Sequence, residues 1–161
     1  MSATEARREL EVDAAVLAIA AGLIHAVAAV SHFGEYWLFG AFFATLAVAQ
    51  IAWGSVVYRG ASVTVLAAGA WGSAAVALLW LASRTVGLPI GPHAGAPEAI
   101  GPLDVLATLD EQAVVAIVVA LLRFPQLRPR LVHAAGRVGP VVGMTLAMAS
   151  LVSLTLGAHA H

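Results

Sequence analysis

The side chains best equipped for chemistry are six histidines and nine acids, and cysteine is absent. Disulfide frameworks, thiolate zinc sites, iron–sulfur clusters and cysteine nucleophiles are therefore excluded. His25 and His32 lie seven residues apart, with Glu35 three further on, which places all three on one face of a continuous helix. Asp104, Thr108 and Glu111 share a face in the same way at spacings of four and three, and Asp110 adjoins Glu111. Neutral imidazole with carboxylate suits zinc, copper(II), manganese or iron. The expected ligands of such a divalent transition metal are His25, His32, Glu35, His93, Asp110 and Glu111, with Arg84, Glu98 and Gln50 as candidates to hold a substrate. No HExxH pattern is present, and the terminal His159-Ala160-His161 would bind metal only as any short His tract does. Haem is disfavoured because His25 is the one outer-side histidine well inside an apolar span.

The same residues permit other readings. Carboxylate and imidazole chains inside a membrane often form proton or ion relays, which would make the chain a proton-coupled permease. A non-enzymatic accessory or assembly subunit is a further reading, in which His25 bonds Asp110 or Glu111 and fastens two helices. Asp104 follows Gly101-Pro102 and suits the first turn of a helix, where an acid complements the dipole. Arg84 suits a snorkelling or ion-paired place at the membrane interface. No nucleophile–base pair is visible, so an enzymatic role is left open.

These residues must be positioned by very apolar elements. The chain has 161 residues, 61% apolar and 11% charged, with a mean hydropathy of +0.92. A soluble domain carries about 25% charged residues, so a secreted globule, a disordered tail and an ordinary cytosolic enzyme are excluded. The net charge of −1 offers no basic field for nucleic acid. The composition fits an all-α integral membrane domain with the lipid bilayer as its surround.

A spanning helix needs about 20 mostly apolar residues, and five segments qualify. They run over about 14–31, 37–57, 63–82, 103–122 and 138–158 of a single membrane domain. Arginine is retained on the cytoplasmic side. Arg7, Arg8, Arg59, Arg123, Arg128, Arg130 and Arg137 then fall inside and Arg84 outside, with the N-terminus cytoplasmic and the C-terminus outside. Arg7, Arg8, the first apolar run and Ala26-Val27-Ala28 loosely resemble a cleavable signal peptide, but Glu5, Glu9, Glu11 and Asp13 are unusual in one. The long connection over 84–102 is rich in Pro and Gly, which forbid a regular helix. Its Leu88, Ile90 and Ile100 predict a structured outer loop folded back on the bundle.

Lipid gives helices no hydrophobic reason to associate, so small residues matter for close packing. Ala14, Ala18, Gly22 and Ala26 form one such stripe, Gly69, Ser73 and Ala77 another, and Gly139 and Gly143 a third. Packing within one chain is the expectation, with a homodimer or another membrane protein as the alternative partner. Gln50 and Trp53 point deeper, to floor a cavity or bond a neighbouring helix.

Two stretches carry a resemblance: His25 through Gln50, with His32-Phe33-Gly34-Glu35-Tyr36-Trp37 and Gly40-Ala41-Phe42-Phe43, and Ser83-Arg84-Thr85-Val86-Gly87-Leu88-Pro89-Ile90-Gly91-Pro92 on to Glu98 and Asp104. They resemble small multi-spanning bacterial membrane proteins without an assigned activity. The resemblance implies topology and no mechanism. Abundant Ala and Arg without Lys fit a GC-rich bacterial genome, and the expected location is the bacterial cytoplasmic membrane.

Overall fold

The computed structural model describes residues 2–127, 130–132 and 143. Among these the chain is all-helical: α1 (Ala3–Glu35), α2 (Trp37–Arg59), α3 (Val63–Thr85) and α4 (Pro102–Arg123), then a short 3-10 turn at Pro125–Leu127. Each of the four long helices is long and apolar enough to cross a membrane. Apart from Gly143, the expected fifth span (138–158) lies outside the described residues, as do His133, His159 and His161.

Local chemistry sets the ends. Ser2 caps α1 by accepting the Glu5 N–H at 3.2 Å while Glu5 accepts the Ser2 N–H at 2.6 Å, a reciprocal capping box. This hydrogen bond to the backbone holds the Glu5 carboxyl below its ordinary value. The helix therefore starts well before the apolar run at 14: nothing in residues 3–13 breaks it, and Arg7 pairs with Glu11 at 2.7 Å. Tyr36 alone, in extended conformation, turns α1 into α2. The second turn needs glycine, because Gly60 has φ +109°. Ser62 then caps α3 by accepting the Val65 N–H, and Asp104 accepts the Gly101 N–H at 2.9 Å to cap α4.

α1 is the hub, packed along α2 on one side and α4 on the other, with α3 against α4. Its small residues allow the close approach. A Cβ on Gly22 would lie 2.9 Å from the Ile51 side chain, and one on Gly54 of α2 would lie 2.7 Å from the Ala15 carbonyl oxygen. Ala14, Ala18 and Gly22 of the expected stripe are buried, whereas Ala26 faces outward. Gly143 abuts Ala20 of α1 and the Asp110 carboxylate of α4. Near the Gly60 turn Ala15, Ala18, Val57, Leu66, Val114 and Val118 form the main core, and a smaller cluster of Ala20, Ile24 and Ala107 lies toward the loop.

α2 and α3 meet little. They are joined near the turn, where the Trp53 indole N–H donates to the Val65 carbonyl at 2.7 Å and the ring covers Gly69. Toward the loop end they part. Large apolar side chains cover the outside of the bundle, including Trp71 (77% exposed), Val48 (70%) and Leu78 (66%). A contiguous apolar surface of this extent belongs in lipid.

Candidate functional site

Each of the four helices contributes a buried polar side chain to one cluster in the interior. The His25 Nδ1 of α1 lies 2.8 Å from the Gln50 Oε1 of α2. The Gln50 amide Nε2 donates in turn to the Glu111 Oε1 of α4. The Ser73 side chain of α3 lies beside the same carboxyl. Glu111 is 1% exposed, His25 4%, Ser73 8% and Gln50 9%, so this chain of bonds is sealed from solvent. A buried polar group without a partner costs about 1–3 kcal/mol, and here each one has a partner.

The order of bonds fixes the imidazole. Gln50 spends its N–H on Glu111, so only its oxygen is left for His25, and that oxygen accepts. His25 therefore carries its proton on Nδ1, and Nε2, across the ring, is left as a bare acceptor. Its ring stacks on Phe43 at 5.6 Å between centroids, tilted by 22°. His32 is held similarly: its Nδ1 donates to the Ala28 carbonyl at 2.8 Å and its ring meets the same Phe43 at 4.5 Å. Neither Nε2 has a hydrogen-bond partner among the described residues.

Both imidazoles and Glu111 line a cavity of about 490 Å³ at the loop end of the bundle. This volume is ordinary for small-molecule sites, which span about 300–1,000 Å³. Its walls are mostly apolar and aromatic, with Phe39, Phe42, Phe43 and Trp80 prominent. Leu38, Phe42, Leu79 and Ile90 line it and are also 37–51% exposed, so the mouth opens among apolar side chains where α2 and α3 part.

The roof is the 86–101 connection. Left-handed glycines at Gly87, Gly91 and Gly95 fold it tightly, and the Gly95 N–H donates to the Leu88 carbonyl at 2.8 Å. Gly91 sits against the Phe39 ring, so the loop returns to the helices as its apolar residues require. Arg84 fastens it, donating through Nη1 to Glu98 and through Nη2 to Asp104 at 2.7 Å. The guanidinium lies 6.0 Å over Trp80, and its Nε is buried without a hydrogen-bond partner, as is the Trp80 indole nitrogen.

Of the nine residues expected to hold metal or substrate, His25, His32, Glu111, Arg84 and Glu98 line this one cavity. Gln50 lies behind it and joins two of them. Glu35 and His93 are exposed and do not line it. Asp110, next in sequence to Glu111, turns to Ala20 and Gly143 instead. Among the described residues no group of three His, Asp or Glu is close enough to hold a metal ion. The expected bond from His25 to Asp110 or Glu111 is replaced by one to Gln50, which in turn bonds Glu111. Phe43, Trp80, Ser73 and Thr108 enter the site without having been expected there. Three of them gave a signal: Thr108 shares the face of Asp104 and Glu111, Ser73 lies in the stripe with Gly69 and Ala77, and Phe43 belongs to the Gly40-Ala41-Phe42-Phe43 stretch.

Among the described residues, fold and site together define four membrane-length helices around a buried His–Gln–Glu–Ser cluster and an apolar cavity. No protein family, curated protein or solved structure matches the chain, so the chemistry of its own residues carries any functional reading.

Proposed function

We propose that this is a multi-span protein of the bacterial cytoplasmic membrane that binds a small lipid-soluble molecule at its outer side. The orientation rests on arginine. Arg8 donates to the Tyr58 carbonyl beside Arg59, which gathers the N-terminal arginines and the α2–α3 turn at one end, while Arg84 lies at the loop end. The arginine-rich end faces the cytoplasm, and the fifth span would return the C-terminus to the outside. The observation that carries the binding reading is the cavity itself: about 490 Å³, walled by aromatic and aliphatic side chains, open among exposed apolar residues and floored by His25 and Glu111.

The experiment is saturable binding of 1-naphthol and its methyl ether to protein in lipid nanodiscs, read by quenching of the cavity tryptophan Trp80. Val76 lines the cavity from α3, so Val76→Trp places a bulky ring within it. Saturable binding to wild type that Val76→Trp weakens at least tenfold is expected. Binding of neither probe, or equal binding to both proteins, would end the reading.

A metal is the second reading, favoured by the arrangement of the two imidazoles. Metal-ligating histidines usually give their other ring N–H to an oxygen acceptor, as His25 does to Gln50 and His32 to Ala28. A divalent transition metal in the cavity would then use both Nε2 atoms and Glu111, and movement of the helices or loop would have to bring them together. Elemental analysis of tag-free protein, with Glu111→Gln alongside, tests it. Near-stoichiometric zinc, copper, manganese or iron lost in the variant supports the site. Wild-type protein still empty after incubation with each metal and dialysis removes it.

A further inference from the structure

Resting on the cavity reading above, we infer that the ligand is a lipid-soluble aromatic compound bearing a ring hydroxyl, phenol or quinol in class, whose O–H donates to His25 Nε2. Three observations lead there. First, the cavity's free hydrogen-bonding atoms at its floor are acceptors. Glu111 holds Gln50 by its N–H, Gln50 holds His25 by Nδ1–H, and Nε2 is left with a lone pair and no donor among the described residues. His32 repeats the pattern through Ala28. Two donors of the lining residues, the Trp80 indole N–H and the Arg84 Nε–H, also lack partners, so it is at His25 that a molecule offering only a carbonyl or ether oxygen would set lone pair against lone pair.

Second, the carboxylates of the lining already have hydrogen-bond partners. A cationic amine would also be a donor, but it needs a free carboxylate. Glu98 and Asp104 are both engaged by Arg84, and Glu111 by Gln50. A neutral donor can bond to the imidazole without displacing any of these partners. Third, the surfaces beside the two imidazoles are flat rings. Phe43 stacks on His25 and touches His32, with Phe39 and Trp80 also lining the space. Aromatic rings favour stacked or edge contacts with another ring. The mouth among Leu38, Phe42 and Leu79 faces the apolar outside of the bundle, which selects for solubility in lipid.

Gln50 and Glu111 then act as specificity-determining residues at one remove, by setting which imidazole nitrogen is bare. The test compares 1-naphthol with 1-methoxynaphthalene, which has the same rings without the donor, in nanodiscs containing wild type, Glu111→Gln and His25→Phe. Wild type is expected to bind the naphthol at least tenfold more tightly. In Glu111→Gln the Gln50 amide is free to turn over, so the preference falls to threefold or less while the ether's affinity is retained. His25→Phe keeps a ring in place and abolishes the preference. Equal affinity of wild type for both probes, with both still displaced by Val76→Trp, would overturn the inference and leave the cavity reading standing. Binding of neither probe would overturn both.

Discussion

Gln50 is the residue on which the interior depends most, and its removal has a calculable cost. It bonds His25 on one side and Glu111 on the other, joining α1, α2 and α4 through one side chain. Gln50→Leu keeps much of the volume and deletes both bonds. In membrane proteins an interhelical side-chain hydrogen bond is worth about 0.6 kcal/mol on average and at most about 1.7. Two bonds thus give an expected loss of about 1–3 kcal/mol. The high end is favoured because Glu111 and His25 are 1% and 4% exposed, so each loses its partner at a buried position. The assay is reversible unfolding in mixed detergent micelles, in a double-mutant cycle with Glu111→Leu. A coupling of about 0.6–1.7 kcal/mol is expected for that pair. The matching cycle with Asp110→Leu should be additive within about 0.5 kcal/mol, since Asp110 faces Ala20 and Gly143. Zero coupling to Glu111, or equal coupling to both acids, would refute the bridge.

Three further outcomes are expected. A Cβ on Gly69 would collide with the Trp53 indole, whose N–H is anchored to Val65, whereas one on Gly72 meets nothing within 4 Å. Gly69→Ala should therefore cost about 1–3 kcal/mol by overpacking, and Gly72→Ala should stabilise by up to about 1 kcal/mol; thermal unfolding of the two variants decides. Arg84→Gln removes the ion pair that ties the roof to α3 and the one that ties α3 to α4. Amide exchange at Glu98, whose N–H bonds Ser83, should rise several-fold while exchange in the main core stays unchanged; an unaltered loop would show that the glycine turns suffice. At the N-terminus, the Glu5 carboxyl is held below its ordinary 4.5 by the Ser2 backbone N–H. Its contribution to the first turn of α1 is thus fully present above pH 4.5 and lost as pH falls through the lowered value. Amide protection near Ser2–Ala6 should follow that course in wild type and lose the pH dependence in Glu5→Gln.

The helices were legible because lipid imposes a simple rule on length and hydropathy, and the described ends of α2, α3 and α4 fall within three residues of those expected. α1 was underestimated because an apolar count stops at Asp13, while a helix stops only where its backbone bonds stop. Ser2 and Glu5 supply a start that hydropathy ignores. The site was half legible for a related reason. Spacing placed His25 with His32 and Asp104 with Glu111, since both pairs follow from a single helix. It could not choose between Asp110 and Glu111, because adjacent residues differ by about 100° around the axis, and which one faces inward depends on the position of α1. Nor could it see that Gln50 would stand between acid and imidazole, because that depends on how close Gly22 and Gly54 let α1 and α2 approach. The same close approach has a chemical consequence. Two glycines let an amide reach from one helix to a carboxylate on another, and the amide then decides which nitrogen of His25 faces the cavity. Replacing either glycine should therefore alter ligand preference as well as stability, although neither touches the cavity.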